Sequence, residues 1–121
     1  MTATLETARA GTPNRISARE VSQRIGESAC LLLDVRGFDE FAAGHAASAL
    51  CIPLPDLERR AGQIPTDKPV FVMCGSGYRS SIACSLLQRA GHTDVVNVVG
   101  GWTAWMASGP TSKTETENVA A

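Results

Sequence analysis

The sequence predicts an α/β fold with a mainly parallel sheet covered by helices on both faces. Three observations carry that prediction. Short, largely apolar runs recur at Leu31 to Val35, Val70 to Met73 and Val95 to Val99, the pattern of strands buried on both sides. Between them lie segments with helical spacing or helical start signals. The runs end in polar or glycine-containing turns, which is where sheets of this kind bind ligands.

In chain order, Ser17-Ala18-Arg19-Glu20 matches a capping box and opens a helix through about Ile25. Val21 and Ile25 fall on its inner side, and Gly26 closes it. The run Leu31 to Val35 follows as a strand, then Arg36-Gly37 and a brief helix over Phe38 to Ala43 that ends at Gly44. Ala49 to Ile52 is a further apolar run stopped by Pro53. Pro55 then sits in the first turn of a helix over 55–60, where its missing N–H has no partner to lose. Pro65 and Pro69 bracket the next loop. After the strand Val70 to Met73, the segment Ser81 to Ala90 carries apolar residues at 82, 83, 86, 87 and 90, one helical face, and Gly91 caps it. Val95 to Val99 is the last strand. Gly100-Gly101 leads into one or two helical turns over Trp102 to Ala107, with Trp102 and Trp105 on the core side. Residues 1–13 and 110–121 read as flexible polar tails around a single domain over 14–109.

A chain of 121 residues holds one domain with one main site. With 11 Lys and Arg against 12 Asp and Glu, the net charge of −1 gives no reason to expect a nucleic acid or an anionic membrane surface as partner. No apolar run approaches the roughly 20 residues needed to cross a bilayer. The first 15 residues lack the apolar core of a secretory signal, so the expected location is cytoplasmic. Cys30, Cys51, Cys74 and Cys84 form no CxxC pair, which argues against a disulfide framework or a metal site. Cys30, Cys51 and Cys84 lie in apolar segments and read as small core residues.

Cys74 is different. It opens the stretch Cys74-Gly75-Ser76-Gly77-Tyr78-Arg79-Ser80, between a strand end and a helix start. Two glycines let successive backbone N–H groups turn inward, and the helix adds partial positive charge at the same point. Arg79 brings a full charge to a helix N-terminus, an unfavourable place for a cation unless an anion is close by. A thiol in these surroundings ionises more readily than a free cysteine, and the thiolate is the reactive species. Nucleophile and anion cradle together indicate group transfer from an anionic donor.

The other polar residues read as structural. Asp34 and Arg36 suit an ion pair or a loop-fixing role. His45 suits a hydrogen-bonded turn, and His92, following Gly91, is expected at the surface. Ser76, Ser80 and Ser81 belong to no Ser-His-Asp arrangement, and Ser80 and Ser81 fit loop hydrogen bonds or helix caps.

Taken together, Leu33-Asp34-Val35-Arg36, Asp39-Glu40-Phe41-Ala42-Ala43-Gly44-His45, Ile52-Pro53-Leu54, the Cys74 to Ser80 loop and Gly100-Gly101-Trp102 resemble the single-domain rhodanese sulfurtransferases over roughly residues 14 to 109. The resemblance implies a three-layer α/β sandwich around a mainly parallel five-stranded sheet. It implies that Cys74 accepts a sulfane sulfur from thiosulfate or another persulfide donor and passes it to cyanide or a thiol, with no metal and no cofactor. Gly75, Ser76, Gly77, Tyr78, Arg79 and Ser80 would then bind the donor, with Tyr78 at the loop mouth and Arg79 orienting the anion. The chain departs from the family at Gly44-His45-Ala46-Ala47-Ser48-Ala49, where rhodaneses often carry Ile-Pro-Gly-Ala after Gly-His. Two other functions compete. Cysteine phosphatases and arsenate reductases use a similar loop, but with one more residue between cysteine and arginine than the four found here. A persulfide-relay or sensing module with protein partners would use the same fold and the same cysteine.

Overall fold

The computed structural model describes residues 14–25, 30–108 and 112–113. Strand β1 (Asn14–Ser17) leads directly into helix α1 (Ala18–Arg24). Their junction is the capping box expected from sequence: the Ser17 hydroxyl accepts from the Glu20 N–H at 3.1 Å, and the Glu20 carboxylate reaches back to the Ser17 N–H. Strand β2 (Leu31–Asp34), helix α2 (Phe38–Ala43), the two-residue strand β3 (His45–Ala46) and strand β4 (Leu50–Cys51) follow. Helix α3 (Leu54–Arg60), a single 3₁₀ turn and strand β5 (Val70–Met73) complete the middle of the chain. Helix α4 (Tyr78–Arg89), strand β6 (Val95–Val99), helix α5 (Gly101–Ser108) and strand β7 (Ser112–Lys113) close it.

Five strands form one sheet in the order β1-β6-β5-β2-β4, and every pairing is parallel. Strand β5 is therefore central, and all of its residues are buried because both of its faces are covered. Alternation along the strands divides the core in two. Leu33, Val70, Val72 and Val95 face α3 and α4, where Leu57, Ala83, Cys84 and Leu87 meet them. Leu32, Phe71, Met73 and Val98 face α1 and α5, where Ala18, Val21 and Trp105 meet them. The result is the three-layer sandwich the family resemblance implies, with Cys74 one residue past the end of its middle strand.

Differences from the sequence reading have local causes. Strand β1 does not show in the sequence as a separate element, since Asn14 to Ser17 has a single buried apolar side chain, Ile16, and gains its strand geometry from pairing with Val96 to Val99. Helix α4 starts at Tyr78 rather than Ser81, so Tyr78, Arg79 and Ser80 form its first turn and the loop proper shrinks to Gly75, Ser76 and Gly77. Gly77, at φ 112°, supplies the left-handed turn that lets the helix begin there. His92 is buried, not exposed: its ring nitrogens lie 3.2 Å from the Leu87 carbonyl oxygen and 2.9 Å from that of Ile64, so it ties the end of α4 to the turn after α3. Ser112–Lys113, inside the stretch expected as a tail, pairs antiparallel with His45–Ala46. The atypical connection after Gly44 thus makes a strand, followed by a turn closed by the Ala49 N–H on the Ala46 carbonyl at 3.1 Å. Gly26, residues 1–13 and the rest of 109–121 lie outside the described residues. Among the described residues, no helix is long and apolar enough to cross a membrane.

Candidate active site

The backbone of Cys74 is fixed first. Its carbonyl accepts the Trp102 N–H at 2.7 Å, and the Gly75 carbonyl accepts the Thr103 N–H and hydroxyl, each at 3.1 Å. These donors come from the first turn of α5, where N–H groups have no partner within the helix. So close an approach requires glycine at 101. Its φ is +53°, and a Cβ there would collide with the Cys74 carbonyl oxygen. The Gly100-Gly101-Trp102 landmark is thereby explained: it pins the cysteine loop from behind. The Trp102 ring points elsewhere, against Gly44 and beneath the Arg36 guanidinium, whose carbon lies 4.9 Å from the ring centroid.

The sulfur of Cys74 is buried and surrounded by hydrogen-bonding groups. The Gly77 N–H donates to Sγ at 3.0 Å, and the Ser80 hydroxyl lies 3.5 Å away on the first turn of α4. Burial pushes the thiol up. The Ser80 hydroxyl and the N–H groups of Ser80, Gly77 and Ser76 pull it down, and together they win, leaving the thiol below its usual range. Sequence reasoning expected Arg79 to supply the charge. Instead, Arg79 forms a two-pronged ion pair with Glu40 at the start of α2, at 2.7 and 3.0 Å. That pair is half exposed, and it holds the Glu40 carboxyl down to about 2, chiefly through the Arg79 hydrogen bond. The guanidinium nonetheless overlies Gly75, with one nitrogen 3.1 Å from where a Cβ would stand. Arg79 therefore borders the loop as one half of a neutral pair.

The remaining expected residues are placed as follows. Gly75, Ser76 and Gly77 arch over the sulfur, and Ser76 is exposed. Tyr78 projects into solvent, with 74% of its surface free, consistent with a place at the loop mouth. Ser80 is fully buried, and its hydroxyl donates to Asn97 Oδ1 at 2.6 Å. Asp34 and Arg36 form a buried ion pair at 2.9 Å, and Arg36 also donates to the Gly44 carbonyl at 2.7 Å, which ties the end of β2 to the C-terminal end of α2. His45 stacks on Phe41 and sits 2.9 Å from the Phe41 carbonyl through Nδ1. Burial pushes Cys51 up to about 11 and Cys84 up to about 12, so neither of these two thiols ionises as readily as Cys74.

Two residues of the site escaped the sequence reading. Glu40 stood in a recognised landmark, but its partner lies across the fold. Asn97 left a clearer signal, since it is the one polar residue in the apolar run Val95 to Val99 and is buried in the structure.

Comparison with known proteins agrees with this geometry. A family model described as Rhodanese-like domain matches residues 17–108. The chain is 40% identical over 82 residues to an uncharacterized protein, YqhL, of Bacillus subtilis, a match that spans 68% of this chain and 65% of YqhL. It is 37% identical over 97 residues to a protein named Sulfurtransferase from Allochromatium vinosum, covering 79% of this chain and 91% of that one. Among solved structures, a rhodanese-related protein from Thermoplasma volcanium superposes with a TM-score of 0.76 at 30% identity, over 83% of this chain and 97% of its own. With the parallel five-stranded sheet and a cysteine loop at the end of its central strand, the match assigns the chain to the rhodanese-like domain family.

Proposed function

We propose that the protein is a sulfurtransferase in which Cys74 carries a sulfane sulfur from thiosulfate, or another persulfide donor, to cyanide or a thiol. The observation that carries the reading is the ring of hydrogen-bonding groups around one buried sulfur: the Gly77 N–H, the Ser80 hydroxyl and the N–H groups of Ser76 and Ser80. In the first step the Cys74 thiolate attacks the outer sulfur of thiosulfate. The sulfur–sulfur bond of the donor breaks, its electron pair leaves with sulfite, and Cys74 keeps the extra sulfur as an anionic persulfide. In the second step cyanide attacks that terminal sulfur, forming thiocyanate and returning the Cys74 thiolate. Charge balances in both steps, and no external oxidant or reductant is needed. The backbone N–H groups already aimed at the loop interior stabilise the persulfide anion without reorganising.

Gly75, Ser76, Gly77, Tyr78, Arg79 and Ser80 would frame the donor, with Arg79, held by Glu40, bordering its path. The short spacing between Cys74 and Arg79 favours this chemistry over phosphate hydrolysis, which needs a wider cradle. A reducing compartment such as the cytoplasm suits a reaction that depends on a free thiolate. Exposed apolar side chains favour a second reading. Tyr78 at the loop and Phe38, which is 57% exposed near Glu40, offer apolar contact that a small anion does not need, and a persulfide-bearing protein partner does.

Intact mass measurement after incubation with thiosulfate distinguishes these readings. One added sulfur, localised to Cys74 and removed by cyanide, is the expected result. Sulfur gained only from a persulfidated protein supports the relay, and hydrolysis of an aryl phosphate without sulfur uptake overturns both.

A further inference from the structure

Ser80 has one hydroxyl proton and two claimants for it. The Asn97 carboxamide oxygen accepts that proton at 2.6 Å, while the Cys74 thiol, 3.5 Å away, directs its own proton to the Ser80 oxygen. The amide nitrogen of Asn97 reaches the Gly77 carbonyl at 3.5 Å, and the Gly77 N–H donates to the same cysteine sulfur at 3.0 Å. Cys74, Ser80, Asn97 and Gly77 thus form a closed circuit. Cys74, Ser80 and Asn97 are all buried, so water is a poor substitute for any partner in it.

We propose that Asn97 is a positioning residue that sets the direction of the Ser80 hydroxyl and, through it, the ionisation of Cys74. With the thiol protonated, the circuit is satisfied as described. Once the thiol proton has left to solvent, the sulfur becomes an acceptor, and a Ser80 proton still committed to Asn97 would leave oxygen lone pairs facing a negative sulfur. Asn97 resolves this by turning its amide over, because the two orientations occupy the same space. Its nitrogen then donates to the Ser80 oxygen, giving up its long 3.5 Å contact with the Gly77 carbonyl, and the Ser80 proton is free to point at the sulfur. An amide can make this exchange, whereas a carboxylate, which only accepts, cannot.

The charged and titratable groups near Cys74 are few. Arg79 and Cys84 on α4 sense it electrostatically, and Glu40 on α2 offsets Arg79. The Asp34–Arg36 pair closes on itself at the end of β2. Strand β6 and helix α5 carry no titratable side chain. The effect of Asn97 on the thiol therefore has to pass through hydrogen bonds.

The inference concerns the cysteine of the proposed sulfur transfer, but its readout, the pH dependence of Cys74 alkylation by iodoacetamide followed on the Cys74 peptide, does not depend on that reaction. Asn97→Asp locks the Ser80 proton away from the sulfur, and the alkylation midpoint is expected to rise by about one pH unit or more. Part of any rise comes from the new negative charge alone. In a Ser80→Ala background only that part remains, so the rise should fall to less than half. Asn97→Leu removes the competing acceptor without adding charge and is expected to lower the midpoint, which keeps the idea testable if the Asp variant folds poorly. An equal rise in both backgrounds, no rise in either, or an upward shift with Leu overturns the role assigned to Asn97. Failure of sulfur uptake with these shifts intact overturns the proposed function and leaves the circuit standing.

Discussion

Cys74 and Cys84 are both buried, both belong to the core between the sheet and α4, and they behave in opposite ways. Burial is the largest influence on each and acts in the same direction. For Cys84 nothing opposes it, the nearby Cys74 adds to it, and the thiol is pushed up to about 12. For Cys74 four hydrogen-bonding groups reverse the outcome and bring the thiol below its ordinary value. The difference teaches that exposure is a poor guide to which thiol of this protein ionises readily. Position at the strand end, where backbone N–H groups converge, separates the two.

The strongest way to break that comparison is to exchange the two roles. Cys74→Ser is expected to abolish sulfur transfer, lowering it at least about a thousandfold, with the circular dichroism spectrum unchanged. Cys84→Ser should keep activity within about twofold. It should cost about 1–2 kcal/mol of stability, because a hydroxyl replaces a thiol in an apolar setting. For a domain of this size that lowers the melting temperature by roughly 4–10 °C. Comparable loss of activity in the two variants would reveal Cys84 as a resolving thiol and dissolve the contrast.

Gly101→Ala tests the donors without touching a thiol. The new Cβ meets the Cys74 carbonyl, and alanine is strained at φ +53°, so the variant should lose on the order of 3 kcal/mol in chemical denaturation. The loop must shift to relieve the contact, and the donors shift with it. We expect activity to fall about ten- to a hundredfold and the Cys74 alkylation midpoint to rise, while Cys84 stays unreactive. A destabilised variant with an unchanged midpoint would mean that the donors do not depend on the contact with α5.

How far the sequence reveals this arrangement depends on how local each signal is. The capping box at Ser17 and Glu20 works within four consecutive residues, and the structure reproduces it bond for bond. The strand before Cys74 declares itself by an unbroken apolar run. Strand β1 does not, because it becomes a strand only by pairing with β6, far away in the chain. His92 misleads for a related reason: the residue after a helix cap is usually solvated, and here two carbonyls from separate elements enclose it. Within the site, the cysteine and its glycines are legible because the chemistry lies in their spacing. The partners of Arg79 and Ser80 are not, since Glu40 and Asn97 arrive from other elements and only the fold brings them near.

The smallest expected effect concerns charge, and it sharpens the comparison most. Glu40 has a folded value of about 2, below its ordinary 4.5, so the stability it contributes is fully present above pH 4.5 and is lost as pH falls toward 2. Both partners of the Glu40–Arg79 pair are substantially exposed, which limits that contribution to under about 1 kcal/mol. Glu40→Gln should therefore barely change the melting temperature at pH 7 and should flatten its decline between pH 4.5 and 2. The same substitution leaves the Arg79 charge uncompensated beside Gly75. The Cys74 midpoint should then drop by a few tenths of a pH unit at low ionic strength and return in about 0.5 M salt, where a charge effect across an exposed rim is screened. Cys84, shielded from that rim, should not respond. If Glu40→Gln moved Cys74 further than Gly101→Ala does, charge rather than hydrogen bonding would be what separates the two cysteines, and Arg79 would regain the leading role the sequence first suggested for it.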